Sequence, residues 1–467
     1  MTEAAVPSPE EPPKAPRVSF WTHGCRLNQH DTAALRARLL RAGLTESRET
    51  PADAEILVVN TCTVTRRADQ EARQLIRKLH RAAPGSRIVV TGCYAQRAPE
   101  ELRSLPGVTA VLGAAERDDP ETLLRAVNGG PEGGALVAVG AGRAARTFAT
   151  EAPLHVGRSR ALLKVQDGCD SFYAYCVVPY VRGRSRSLPR EEAIARARRL
   201  LDAGFLEIVL TGADLGSYGR DRGEAGALAR LVEGILDLGD GHRVRLSSIE
   251  PHKLDPRLAA MIGAAPGLCR HLHLPLQSGS NRVLRAMRRG YTREDYASLL
   301  EGIARRGPVG IGADVIVGFP GEGDAEFEET RRFLECAPVT FLHVFRYSGR
   351  PGTAASRLTG SVSEARARER SEVLRALGEE KTRAFRRSLL GTRLRVVPER
   401  GRGRRGPLAM SDLYVPVELD REPASGGGIL DVSITGEDGV RLTGSPVSRS
   451  AVPGTGSERA RSDRLTL

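Results

Sequence analysis

Three cysteines, Cys25, Cys62 and Cys93, each stand between an apolar run that reads as a β-strand and a stretch that reads as a helix. The runs are VSFWTHG, EILVVNT and RIVVTG. Consecutive cysteines lie 37 and 31 residues apart, about one strand–helix–strand unit each. In an open parallel sheet the loops at the carboxyl ends of the strands converge on one crevice. The spacing therefore predicts that three thiols distant in sequence meet in space. Three convergent thiolates with an open fourth position suit an iron–sulfur cluster with a site for chemistry.

The rest of the chain narrows the setting. Seven cysteines spread over 467 residues do not form a secreted disulfide framework and point to a reducing compartment, with metal or catalytic use. No stretch of about eighteen apolar residues occurs, so a soluble, cytoplasmic protein without membrane association is expected. Residues 1–16 are rich in proline and charge and read as a disordered tail. Net charge is +13, carried by 65 arginines and five lysines, Lys14, Lys78, Lys164, Lys253 and Lys381. One reading of this charge is a general compositional preference for arginine over lysine. The segment Arg386–Pro407, however, holds eight arginines against one acid, Glu399, which suggests a polyanion partner such as RNA.

Strand and helix patterns alternate over residues 17–128, with a helix expected from about Asp31 to Ala42. Residues 129–154 read as a Gly/Ala-rich linker with a short strand. A second alternation occupies residues 155–385. Its strand candidates are ALLKVQ, EIVLTG, VRLSSIE, HLHLPLQ, IGADVIVGF and FLHVFRYS. Six parallel strands, each followed by a helix, imply a closed or partly closed barrel with its site at the strands' carboxyl ends, where Asp214, Glu250, Gln277 and Ser278 cluster. Residues 386–448 change character: four short β runs between Gly- and Pro-rich turns predict a small β-barrel. Residues 449–467 read as a second disordered tail.

A further cysteine pair, Cys169 and Cys176, lies in QDGCDSFYAYCVVPYVRGRSRS after the first barrel strand. With HGCRLNQHDT, NTCTVTRRADQEARQLIRK, TGCYAQRAPEEL, RLSSIEP, HLHLPLQSGSNRVLRAMRRGYT and ADVIVGFPGE, this segment resembles the radical S-adenosylmethionine (radical SAM) methylthiotransferases. The closest branch is the one that modifies threonylcarbamoyladenosine in tRNA. The resemblance implies an α/β chain with an N-terminal doubly wound parallel-sheet domain, a central radical SAM partial (β/α)6 barrel and a C-terminal TRAM-like β-barrel. It also implies a tRNA-modifying transferase that adds a methylthio group to C2 of threonylcarbamoyladenosine 37, using SAM and two 4Fe–4S clusters. The tRNA anticodon loop would be its partner, and a monomer is expected. The sequence does not give the electron donor or the sulfur source.

The family's radical SAM signature is Cys-x3-Cys-x2-Cys, and here Tyr173 takes the middle position. A phenol is bulkier and harder than a thiol and has the higher pKa. The resemblance thus implies metal ligands Cys25, Cys62, Cys93, Cys169 and Cys176, with the second cluster in doubt. Alternatives are a non-catalytic tRNA-binding relative and an enzyme acting on isopentenyladenosine 37. In the family, the segments around Asp214, Glu250, Gln277 and Ser278 line the SAM pocket; strand-end polar groups also satisfy loop backbone. Arg182, Arg184 and Arg186 read as RNA phosphate contacts or as a solvated basic loop. Arg400, Arg402, Arg404 and Arg405 form an Arg-rich turn suited to gripping a nucleic-acid backbone. His271 and His273 share a strand face and either point into the barrel near substrate or serve structure. Cys269 and Cys336 read as buried small hydrophobes.

Overall fold

The computed structural model describes residues 15–47, 50–129, 134–140, 159–404, 406–423 and 428–447. Residues 1–14 of the expected tail 1–16, all of the expected tail 449–467, most of the linker, and Arg405 lie outside the described residues.

The first sheet has six parallel strands. From edge to edge they are Thr45–Glu46, Arg17–Thr22, Ile56–Thr61, Arg87–Gly92, Val108–Leu112 and Leu136–Ala138. These strands are apolar on both sides because helices cover both faces. Leu57, Val59, Ile88 and Val90 pack with Ala72, Ile76 and Leu79 of the helix Arg66–Ala82. Val18, Ile56 and Val58 pack on the opposite face with Leu35 and Leu39 of the helix Arg26–Arg41. The strand order reverses between Arg17–Thr22 and Ile56–Thr61, and crevices form at such a reversal. Cys25 and Cys62 follow those two strands.

The helix after Cys25 begins at Arg26, not near Asp31 as expected. Its first turns carry buried polar residues, Asn28, His30 and Asp31, instead of an apolar stripe. That face meets the barrel through ion pairs, so apolar periodicity does not report it.

The second unit has six parallel strands in two three-stranded groups. One orders Arg243–Leu246, Glu207–Thr211 and Arg160–Lys164; the other orders His271–His273, Gly310–Val317 and Phe341–Arg346. An isolated parallel bridge, Val244 to Leu268, links the groups. Leu163, Ile208, Leu210, Leu246, Leu272 and Val315 fill the core with the helices Arg190–Asp202, Ala227–Leu236 and Asp324–Cys336. Among the described residues the outer strands Arg160–Lys164 and Phe341–Arg346 do not pair, so the barrel is partial. A 25-residue helix, Glu364–Ser388, leads to the last unit.

That unit is a closed five-stranded barrel, ordered Arg393–Arg402, Pro407–Ser411, Pro416–Leu419, Leu442–Pro446 and Leu430–Glu437. Four of its strands follow the expected β runs. The fifth, PLAMS, lacks the β-branched and aromatic residues that mark a strand. Among the described residues, no helix is long and apolar enough to cross a membrane.

Candidate active site

Cys25, Cys62 and Cys93 open onto one cavity of about 490 Å³. Cys25 caps the helix Arg26–Arg41, Cys62 follows the strand Ile56–Thr61, and Cys93 begins the helix Cys93–Arg97. Cys25 is exposed, and the other two are buried. Burial and then the neighbouring Cys93 thiol push Cys62 up to about 12. Burial also raises Cys93, against the pull of the Arg182 guanidinium. Cys25 adds to the rise of both, so the three thiols lie close enough to interact. Metal ions relieve that strain, because a coordinating thiol is deprotonated outright. The donor set, three sulfurs on one cavity with no fourth side-chain thiol, fits a cluster with one open iron.

The other walls come from the rest of the chain. Asp214 and Glu250 arrive from the ends of the second and third barrel strands, His271, His273, Phe341 and His343 from later strands, and Tyr414 from the C-terminal barrel. All three units therefore contribute to one space. Two seams of buried charge hold them there. At the first, Lys164 of the first barrel strand donates to Asp31 at 2.6 Å and to Asp167 at 3.2 Å. Arg182 donates to Asp31, Asp167 and Asn28 at 3.2, 3.0 and 3.2 Å. Burial alone would raise Asp31, but Lys164, Arg117 and Arg182 hold it well below the carboxylate range. At the second seam Glu207 binds Arg243 and Arg245, whose remaining N–H groups donate to backbone carbonyls of Arg395, Met410, Ser411 and Asp412. Burial opposes ionisation of Glu207, yet these arginines lower it to about 2.

Cys169 and Cys176 form the second thiol group, next to the first. Val177 and Val181, just after Cys176, pack against Cys93. Gly168, at φ +73°, makes the tight entry to Cys169: a Cβ there would stand 1.9 Å from the Arg184 carbonyl oxygen. Burial, then Asp214, raises Cys169 to about 11; burial, with Cys169 adding to it, raises Cys176 to about 12. Tyr173 is buried between them in sequence, and its hydroxyl makes no hydrogen bond among the described residues. Its ring lies under the Arg289 guanidinium, 4.2 Å from the centroid, and stacks on Tyr175. Burial, reinforced by Glu250, raises the phenol further. A phenol held neutral in this way is not a third thiolate, so the residues present do not match a three-thiolate cluster.

Asp214 is a buried junction: Oδ2 accepts from Ser217 at 2.9 Å, Ser171 at 3.3 Å and Lys253, and lies 3.5 Å from the Cys169 sulfur. Its Oδ1 has no hydrogen-bond partner among the described residues. Glu250 is gripped by both terminal nitrogens of Arg289, and burial nevertheless raises its pKa. Gln277 and Ser278 do not line the cavity. Ser278 faces Thr330 of the helix Asp324–Cys336, and Gln277, at φ +71°, bridges to the strand Gly310–Val317. His271 and His273 both reach the cavity.

Of the loop arginines, Arg182 is buried in the first seam and Arg186 donates to Asp167 and to backbone oxygens, while Arg184 stays exposed beside Asp170 at 2.9 Å. Arg400, Arg402 and Arg404 are exposed, with Arg402 paired to Glu422. Cys269 is buried as expected, whereas Cys336, at the end of its helix, is exposed. The sequence reading missed Ser171, Lys253, Arg289, Asp314, His343 and Tyr414. Lysine rarity is a usable signal: two of the five lysines, the buried Lys164 and the half-buried Lys253, form ion pairs beside the thiols. His273, Asp314 and His343 place their ligand atoms within 4.8 Å of one another, with both histidines hydrogen-bonded to Asp314 Oδ1.

Two family models match the chain: "Uncharacterized protein family UPF0004" over residues 17–113 and "Radical SAM superfamily" over residues 163–334. The chain is 38% identical to "Threonylcarbamoyladenosine tRNA methylthiotransferase MtaB" of Bacillus subtilis, over 82% of this chain and 84% of the relative. The Aquifex aeolicus protein of the same name is also 38% identical, over 82% of this chain and 92% of the relative. A "tRNA-2-methylthio-N(6)-dimethylallyladenosine synthase" of a Jannaschia species is 34% identical over 94% of this chain and 96% of the relative. Among solved structures, the radical S-adenosylmethionine methyltransferase TsrM of Kitasatospora setae aligns with a TM-score of 0.55 at 16% identity, covering 71% of this chain and 75% of that one. That likeness concerns the fold alone.

Proposed function

The chain belongs to the radical SAM methylthiotransferase family, and from that premise we propose that it adds a methylthio group to C2 of N6-threonylcarbamoyladenosine 37 in tRNA. The observation that carries the proposal is the convergence of Cys25, Cys62 and Cys93 on a cavity whose other walls are the barrel's strand ends. Relatives named for threonylcarbamoyladenosine, at 38% identity, support this substrate over dimethylallyladenosine.

Cys25, Cys62 and Cys93 would hold a 4Fe–4S cluster, and that cluster supplies an iron position able to carry sulfur. SAM supplies the methyl group. Asp214 would receive a donor from SAM at its unpaired Oδ1, with Lys253 bound to its other oxygen. Glu250, fixed by Arg289, lines the same cavity from the end of the neighbouring strand. The two charge seams close the domain junctions around the cavity. Cys169 and Cys176 with Tyr173 do not supply a full ligand set, and no step is assigned to that site. Exposed Arg184, Arg400, Arg402 and Arg404 would grip RNA phosphates, placing the anticodon loop at the cavity mouth. The target base would leave its stack to enter.

Mass spectrometry of tRNA nucleosides from a strain lacking the gene tests the proposal. Tyr173→Cys should restore 2-methylthio-threonylcarbamoyladenosine fully, and the wild type to a lesser level. If Tyr173→Cys leaves that nucleoside absent, or yields only the dimethylallyl product, the substrate assignment is wrong. Tyr173 itself favours a second reading, a tRNA-binding protein without turnover. It is supported if the wild type binds tRNA and leaves the nucleosides of the deletion strain unchanged.

A further inference from the structure

One wall of the cavity is made of rings. The strand His271–His273 provides His271 and His273, and the strand Phe341–Arg346 provides Phe341 and His343. Between them lies the strand Gly310–Val317, with Gly312 paired to both His273 and Phe341. Position 312 has to lack a side chain, because a Cβ there would meet the Phe341 ring at 2.1 Å. The Phe341 ring thereby crosses the strand and lies parallel to His271, within 1° at 5.8 Å between centroids. Tyr414 closes the other side of His271 at 4.7 Å. Tyr414 comes from a turn of the C-terminal barrel, at φ +64°, and its hydroxyl accepts a 2.7 Å hydrogen bond from Arg26, the residue after Cys25.

The hydrogen bonds of this wall are incomplete in one place. His273 is satisfied on both ring nitrogens, by Ser248 at 2.8 Å and Asp314 at 2.9 Å. His343 reaches the same Asp314 oxygen at 3.3 Å and is otherwise exposed. His271 is 2% exposed, and neither ring nitrogen has a hydrogen-bond partner among the described residues. A neutral imidazole has one N–H to give and one lone pair to fill, and leaving both unmade inside a protein carries the full desolvation penalty. Burial, with Arg245 and His273 adding to it, keeps this ring neutral. A buried, unpartnered polar ring that lines a cavity is a place where a ligand completes the bonding.

We infer that the His271, His273, His343, Phe341 and Tyr414 wall is the subsite for the N6 substituent of the target adenosine, and that it selects a polar, carboxylate-bearing substituent over a hydrocarbon one. The inference rests on the function proposed above and names the residues that set its substrate. A threonylcarbamoyl group offers N–H, C=O, hydroxyl and carboxylate, so it can both give to and accept from His271, and its negative charge suits Arg26. A dimethylallyl group offers none of these and would seal His271 unpaired. Sites that hydrogen-bond a substrate reject an analogue lacking the polar group far more strongly than apolar pockets discriminate by size.

Equilibrium binding of the reconstituted protein to three anticodon stem-loops tests this, with position 37 carrying adenosine, dimethylallyladenosine or threonylcarbamoyladenosine. Wild-type protein should bind the threonylcarbamoyl loop at least about tenfold more tightly than the dimethylallyl loop. His271→Phe should bring the two within about twofold of each other and leave the adenosine loop's affinity unchanged. His343→Phe, at an exposed position that does not threaten folding, should weaken the preference by about threefold or more. Equal wild-type affinity for the two modified loops, or a folded variant of either kind that keeps the full wild-type preference, overturns the inference. Binding needs no turnover, so the result stands apart from the nucleoside analysis. A protein that prefers the threonylcarbamoyl loop through other residues defeats the inference alone, and Tyr173→Cys protein that makes only the dimethylallyl product defeats the proposed function.

Discussion

The two thiol groups of this chain use the same local device, a strand followed at once by a cysteine-bearing loop, and differ in where their members come from. Cys25, Cys62 and Cys93 come from three strand ends and are assembled by the sheet; Cys169 and Cys176 come from one loop and are assembled by local chain geometry. The sheet-built group is complete. The loop-built group is not, because its middle position holds Tyr173, buried under Arg289 with its hydroxyl unpaired. A site gathered by tertiary structure depends on the packing around it, whereas a site gathered by one loop depends on each residue of a short motif. The first should be broken from a distance, the second repaired by a single substitution.

Removing a member of the complete group has the largest expected effect. Cys62→Ala should cut cluster-bound iron from about four atoms per chain to below about one, measured as iron and acid-labile sulfide after anaerobic reconstitution. Cys336→Ala, at an exposed position away from the cavity, should leave it unchanged. Asp31→Asn reaches the same group from a distance. It leaves Lys164 and Arg182 without a full counter-charge and should lower unfolding free energy by about 3–5 kcal/mol in denaturant titrations. It should also loosen the cluster, since Asp31 fixes the helix that Cys25 caps. Glu207→Gln at the second seam should cost a similar amount while sparing the thiols.

Both seams also predict a pH dependence. Asp31, Asp167 and Glu207 have folded-state pKa values below their ordinary ones. Depressed carboxylates stabilise the fold above the normal carboxylate range and lose that contribution as pH falls through the folded value. Thermal unfolding should therefore show stability declining from about pH 5 towards pH 2, with the decline smaller in Glu207→Gln. The smallest effect belongs to the proposed RNA grip. Arg402→Ala and Arg404→Ala should each reduce the slope of log affinity for tRNA against log salt by about one, with no change in preference between modified loops.

Much of this was legible in the chain. The strand runs before the cysteines and the six barrel strands are continuous patterns, and each is an element near its expected place. The convergence of Cys25, Cys62 and Cys93 followed from topology alone. The seams were hidden because they are polar. Asn28 and Asp31 interrupt the apolar stripe of their helix and read as surface, yet they are buried against another unit. Arginine content suggested RNA, while Arg182, Arg243 and Arg245 are buried and join units of the protein. Tyr414 and His343 belong to the cavity only through packing between units distant in sequence, and no local pattern announces that.

The central claim is that one thiol group is complete and the other lacks a ligand. Iron and sulfide analysis with Mössbauer spectroscopy, on wild type and Tyr173→Cys reconstituted side by side, tests it most directly. The account predicts one 4Fe–4S cluster, about four irons, in the wild type and about eight irons in Tyr173→Cys. Two full clusters in the unaltered chain would contradict it.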